Sequence, residues 1–264
     1  MKSIRSKIFR SLVSLFLFLL FINATGQTKL PSFFGDQMVL QQQTNAAFWG
    51  LDNPNTKITV TGSWGEEQIT TSNDEGKWKT FLKTPKAGGP YTVKINGSTS
   101  VKLENVLIGE VWICSGQSNM FMKLKGFYGT PINGGQEAIL TSRNANIRLF
   151  HTKRNASLTP LYDVSGAWTE TTPETASEFS ATAYFFGKRL HDVLGVPIGL
   201  IHTSWGSATA EAWMNKASLA EFEELVIPEN IPENRPQVVP NLLYNAMLHP
   251  FIGYTIKGAI CYQV

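Results

Sequence analysis

A serine hydroxyl attacks a carbonyl only when a base takes its proton and preorganised N–H donors hold the oxyanion that forms. Ser118 stands where both needs could be met. It lies in the polar turn Ser115-Gly116-Gln117-Ser118-Asn119, directly after the apolar run Val106 to Cys114. Gly116 permits a tight turn, a tight turn aims backbone amides at a bound carbonyl, and Asn119 adds a side-chain amide nearby. Residue types alone leave the matter open. A serine in such a turn is more often a turn or helix-cap residue, and the segment is not the G-x-S-x-G nucleophile elbow.

The elements that would position Ser118 are legible. Val106 to Cys114 is nearly continuous apolar sequence, which suits a strand buried on both faces of a parallel sheet. Open α/β sheets place ligands where such strands end. Ala181 to Leu194 has helical periodicity, with Ala183, Phe186, Gly187, Leu190 and Leu194 on one face, Ser177 or Ser180 as cap and Gly195 as stop. Val196 to His202 then predicts a second buried strand, entering the polar turn Thr203-Ser204-Trp205-Gly206-Ser207. A helix is expected around Glu211 to Leu219, a proline-rich loop over Pro228 to Pro240, a short helix over Leu242 to Leu248, and a third buried strand over Ile256 to Tyr262. This alternation indicates a parallel α/β region.

Leu30 to Val106 has a different texture. Short β-branched and aromatic stretches (Met38 to Leu40, Ala47 to Trp49, Ile58 to Val60, Trp78 to Leu82, Tyr91 to Ile95, Val101 to Leu103) alternate with breakers such as Asn53-Pro54 and Gly88-Gly89-Pro90. The Asn96-Gly97 pair predicts a two-residue hairpin turn. The pattern is that of a small β-sandwich. The organisation expected is residues 1–26 as a leader, 28–106 as a β-sandwich and 107–264 as an α/β region.

The leader is a secretory signal peptide by its layout: Lys2, Arg5, Lys7 and Arg10, then the apolar run Ser11 to Ile22, then small and polar residues. The run falls short of the ~20 apolar residues of a membrane span. A secreted or periplasmic location follows, with no membrane attachment after its removal. The net charge of +3 then becomes −1, because four basic residues and no acid leave. A nucleic-acid partner would need a basic face, so none is expected. The two cysteines, Cys114 and Cys261, could pair in an oxidising compartment, but they are too few for a disulfide framework and read rather as buried free thiols in strands. With no C-x-x-C and no H-E-x-x-H, metal chemistry has no support in the sequence. A third parallel strand is a poor stopping place, so truncation at the C-terminus is expected.

Gly109 to Met120 (GEVWICSGQSNM) resembles the nucleophile block of the sialate O-acetylesterase family, in the SGNH hydrolase superfamily. Phe33 to Gln41, Phe179 to Phe186, Val196 to Trp213, Leu243 to Pro250 and Ile256 to Gln263 resemble further family segments in the family's order. The resemblance therefore spans nearly all of the chain after the leader. It implies a partial, flavodoxin-like three-layer α/β/α domain behind the sandwich. By position it makes Ser118 the catalytic nucleophile, Gly206 and Gln263 oxyanion-hole donors, and Gln117 and Asn119 substrate-binding residues. Ser207 replaces the second glycine of the family's SWGG, and Cys261 a usual tryptophan. Val264 stands where a Gln-Gly-Glu motif has glycine, which fits a clipped or frameshifted reading frame.

The activity implied is cofactor-free hydrolysis of O-acetyl esters on a sugar or sialic acid, through an acetyl-enzyme. The family's general base sits in an Asp-x-x-His pair. His151, His191, His202 and His249 are preceded at that spacing by Arg148, Lys188, Gly199 and Ala246, so none matches. His202 could approach the rim of the site, although a histidine at a strand end is more often structural. His191, beside Asp192, reads as a surface residue. Asp163, Glu110 and Glu211 read as structural carboxylates. The rival expectations are an inactive fragment or glycan-binding module, and an acetylesterase acting on another polysaccharide.

Overall fold

The computed structural model describes residues 26–263. The predicted leader, Gly26 excepted, and Val264 lie outside the described residues. The chain forms β1 (Val39–Gln41), β2 (Asn45–Leu51), β3 (Lys57–Gly62), β4 (Glu66–Thr71), β5 (Lys77–Lys83), β6 (Gly88–Asn96) and β7 (Ser100–Gly116). There follow α1 (Ser118–Phe121), α2 (Gly135–Leu140), β8 (Asn144–His151), β9 (Trp168–Thr171), α3 (Pro173–Glu178), α4 (Ala181–Leu194), β10 (Ile198–Ser204), α5 (Lys216–Leu219) and β11 (Gly258–Tyr262).

In the first half, period-two patterning drives two facing layers. Along β5, Trp78, Thr80 and Leu82 are buried while three lysines and Phe81 face outward. β5 pairs antiparallel with β2. Opposite it, β3 lies between β4 and β6, burying Ile58 and Val60. Phe33, Phe48, Ile58, Leu82, Val93 and Ile95 are fully buried or nearly so between the layers. The β6–β7 hairpin is present, but its register runs Asn96 opposite Ser100, so three residues turn rather than two. Gly97 serves a close approach instead. A Cβ there would lie 2.2 Å from Asp52 Oδ2, the carboxylate that accepts from the Ser98 amide and the Thr28 hydroxyl.

β7 carries the chain from one half to the other as one strand, bulged at Asn105, which adopts φ 54°. Its N-terminal part pairs with β6 and, at Leu107 to Gly109, with β1. Its C-terminal part pairs in parallel with β10 and with β11. The second sheet thus runs β11-β7-β10-β8-β9, parallel except for β9. β10 is buried at every residue, as a central parallel strand must be. Leu149, Ile198 and Leu200 face α4, while Phe150 and Ile201 face the core shared with Phe33, Phe251 and Tyr254. On that second side the 3-10 turns Glu211–Trp213 and His249–Phe251 and the π-helical turn Tyr244–Leu248 supply cover.

α4 spans the predicted residues. Ser180 accepts from the Ala183 amide at its start, and Gly195 adopts φ 66° at its end. Gly187 is there because a Cβ would sit 2.6 Å from Leu200 on β10. Three expectations need correcting. The helix around Glu211 to Leu219 divides into a 3-10 turn and α5, because Asn215 breaks the run and caps the second piece. The third strand is not buried, since among the described residues β11 pairs only with β7 and leaves Cys261 and Tyr262 exposed. Cys261 is accordingly an exposed thiol, whereas Cys114 is buried.

Candidate active site

Ser118 is the first residue of α1, at the C-terminal end of β7. Two neighbours grip the turn that presents it. The Gln117 amide donates to the Tyr262 carbonyl at 2.9 Å, and the Trp205 amide to the Gly116 carbonyl at 3.1 Å. Gly116 adopts φ 133°, and a Cβ there would lie 2.1 Å from the Tyr262 oxygen. Only glycine lets the backbone turn there and lets β11 approach. The far side of α1 is anchored through Met120, whose Sδ accepts from Ser180 Oγ, and through the Asn119 carbonyl, which accepts from Thr182.

The Ser118 hydroxyl is exposed. It donates to Gln117 Oε1 at 3.0 Å and accepts from the Ser207 amide at 3.2 Å. Gly206 adjoins it, since a Cβ on Gly206 would lie 3.9 Å from Ser118 Oγ and 3.6 Å from the Phe121 ring. The turn after β10 therefore aims a backbone N–H at the serine oxygen, the donor in this geometry being Ser207. Ser207 holds φ 61°, a left-handed conformation that suits the glycine it replaces. Gln263 donates from Nε2 to the Ala208 carbonyl at 2.9 Å, tying the end of β11 to the same turn. Its Oε1 is buried without a hydrogen-bond partner among the described residues. The Asn119 side chain is exposed beside Ser118.

None of the four histidines hydrogen-bonds Ser118. His202 is 2% exposed. Its Nε2 lies 2.6 Å from Ser204 Oγ and its Nδ1 3.1 Å from Nδ1 of His151. With both rings neutral, one Nδ1 donates to the other. Burial above all, then the His151 charge, pushes His202 down to about 3, and burial also lowers His151. His202 is thus a satisfied interior residue beneath the site. His191, expected at the surface, is only half-exposed, because its Nδ1 meets the Val196 carbonyl at 2.7 Å beyond the helix end. His249 meets the Leu161 carbonyl. Glu110 is buried between the Gln41 and Gln42 amides, and Asp163 accepts from Ser32. Among the described residues no group of three or more His, Cys, Asp and Glu could hold a metal ion, and no helix is long and apolar enough to cross a membrane.

The sequence reading misses part of the rim. The Arg154 guanidinium lies 3.9 Å from the centre of the Phe121 ring and 5.5 Å from that of Trp205. Phe127 stacks on Phe121 at 6.0 Å. Arg154 follows β8, so it enters from the same C-terminal sheet edge as Ser118 and Gly206. The signal was there in Ile147 to Phe150, an apolar stretch ending at that edge, but polar Asn144 and Asn146 and the interrupting Arg148 hide the strand. Arg148 is itself 2% exposed and reaches the Asn105 side chain and Glu170.

An open parallel sheet joined through one strand to a β-sandwich, with a serine turn at its edge, is an arrangement seen before. A solved carbohydrate acetylesterase from Xanthomonas citri superposes with a TM-score of 0.80 at 33% identity, over 90% of this chain and 51% of that one. The class of fold is therefore that of a carbohydrate acetylesterase. Curated relatives named sialate O-acetylesterase align over 89% of the chain, the human one at 32% identity over 259 residues and the mouse one at 28% over 281. Over these shared residues the chain is similar to the sialate O-acetylesterases. It spans about half the length of those relatives, 48% of the human and 51% of the mouse protein. No family model matches it.

Proposed function

We propose that this chain carries the nucleophile half of a carbohydrate O-acetylesterase site of the SGNH type, acting on O-acetylated sialic acid or a related acetylated glycan. The observation that carries the reading is the exposed Ser118 hydroxyl, held at the end of β7 with the Ser207 amide aimed at it. Ser118 Oγ attacks the acetyl carbonyl and the ester C–O bond breaks. The sugar oxygen leaves with a proton, and water then releases acetate from the acetyl-serine. The Ser118 amide, the Gly206–Ser207 turn and the Gln263 side-chain amide are assigned to the oxyanion. Gln117 and Asn119 are assigned to substrate contacts. In this proposal residues 28–106 act as a β-sandwich scaffold, residues 107–264 as the esterase portion, and the leader directs secretion or periplasmic export.

One observation favours a second reading, an inactive or glycan-binding chain. The hydrogen bonds of Ser118 Oγ run to Gln117 and Ser207, and among the described residues no histidine hydrogen-bonds it. Losing a triad member typically removes several orders of magnitude of rate. The deciding measurement is acetate release from an O-acetylated sialic acid by the purified chain, beside Ser118→Ala. Turnover that falls by about a thousandfold or more in the variant supports the esterase reading. Equal, background-level release from both supports the second. An acetylated plant polysaccharide as parallel substrate separates the two glycan classes.

A further inference from the structure

The chemistry beside Ser118 is not neutral. Arg154 lies over the Phe121 ring, and Phe121 belongs to the same short helix as Ser118. A side chain built at Gly206 would touch both Ser118 Oγ and the Phe121 ring, and Arg154 lies over that ring, so the guanidinium borders the same end of the sheet as the nucleophile. Among the described residues Arg154 forms no ion pair and no hydrogen bond, whereas other cations near the site are committed. Lys123 and Lys125 both bind Glu178. Stacking on an aromatic face fixes the plane of a guanidinium while leaving its N–H edges available. Those edges match a carboxylate in the bidentate manner. Exposed Phe127 stacks on Phe121, and aromatic surface of that kind suits the apolar face of a sugar.

We propose that Arg154 is a specificity-determining residue, a subsite that holds the carboxylate of an acidic sugar while its acetyl ester lies at Ser118. The choice of ligand rests on the carbohydrate reading above. The binding itself does not require turnover.

The test is equilibrium binding to the full chain, followed by saturation-transfer NMR. The probes are N-acetylneuraminate, its methyl ester, glucuronate and N-acetylglucosamine, each against Arg154→Gln and Arg154→Lys. We expect N-acetylneuraminate to bind about tenfold more weakly to Arg154→Gln, with partial recovery in Arg154→Lys. The methyl ester and N-acetylglucosamine should bind both forms alike and weakly. Glucuronate binding that depends equally on Arg154 also supports the subsite, and assigns it to sugar carboxylates in general. The proposal is overturned if wild type binds N-acetylneuraminate no better than its methyl ester, or if Arg154→Gln binds it unchanged while folded by circular dichroism. Acetate release is measured separately. Arg154-dependent binding without turnover sinks the esterase reading and leaves the subsite standing.

Discussion

Mild acid should destabilise this protein before its carboxylates begin to titrate, and His202 is the reason. Its ring is 2% exposed, sits against His151, and is pushed from 6.5 down to about 3. In the unfolded chain the same ring takes a proton near its ordinary value. Stability contributed by the neutral buried ring is therefore complete above about pH 7 and declines as pH falls toward 3. Linkage between those two values gives a loss on the order of 1 kcal/mol from pH 7 to pH 5.5, growing further as pH falls below that. His151 is lowered as well, chiefly by burial and then by Lys123 and Arg154, and adds in the same direction. Glu178, Asp52 and Asp192 are held below their ordinary values, so their contributions are lost only at lower pH. The window from about pH 7 to about pH 5.5 thus isolates the histidines. The assay is the urea unfolding free energy at several pH values and constant ionic strength, for wild type and His202→Gln. Wild type should lose on the order of 1 kcal/mol across the window and the variant clearly less. A flat wild-type profile, or equal slopes in the two proteins, would refute the burial argument.

Three further outcomes follow from the turns around Ser118 and from the thiols. Gly116→Ala places a Cβ against the Tyr262 oxygen at φ 133°, so it should cost about 3 kcal/mol or more and lower the melting temperature. An unchanged melting curve would show that β11 yields freely. Ser207→Gly removes a side chain from φ 61° and should stabilise by about 0.5–1 kcal/mol in urea unfolding, since left-handed strain outweighs the entropy of glycine. A thiol reagent should modify Cys261 in the folded protein and spare Cys114, whose thiol burial pushes up. Mass mapping after a short exposure would show the reverse if the strand assignment were wrong.

Where the sequence was readable, the reason was continuity. The apolar run into Ser115 could only be a buried strand, and a glycine-bearing polar turn after it marked the edge where Ser118 emerges. α4 was legible to the residue because its apolar face, its serine cap and its terminal glycine agree. β8 was not, since Arg148 interrupts its apolar pattern and finds its partners, Asn105 and Glu170, only in the folded chain. With β8 hidden, Arg154 could not be placed at the sheet edge. The hairpin at Asn96-Gly97 formed, but its expected two-residue length failed for a related reason. The local code favours a two-residue turn, but Asp52, far away in sequence, needs the space at Gly97. Which amide would face Ser118 Oγ was equally a property of the folded turn, set by Ser207 taking the left-handed conformation.

The course of β7 through both halves has a mechanical consequence. This strand of 17 residues is hydrogen-bonded at one end to β6 and at the other to β10 and β11, with a bulge at Asn105 between them. Through it the sandwich is tied directly to the turn bearing Ser118. The sandwich then behaves as the foundation of the serine's position, and its removal would unseat the nucleophile rather than merely shorten the protein.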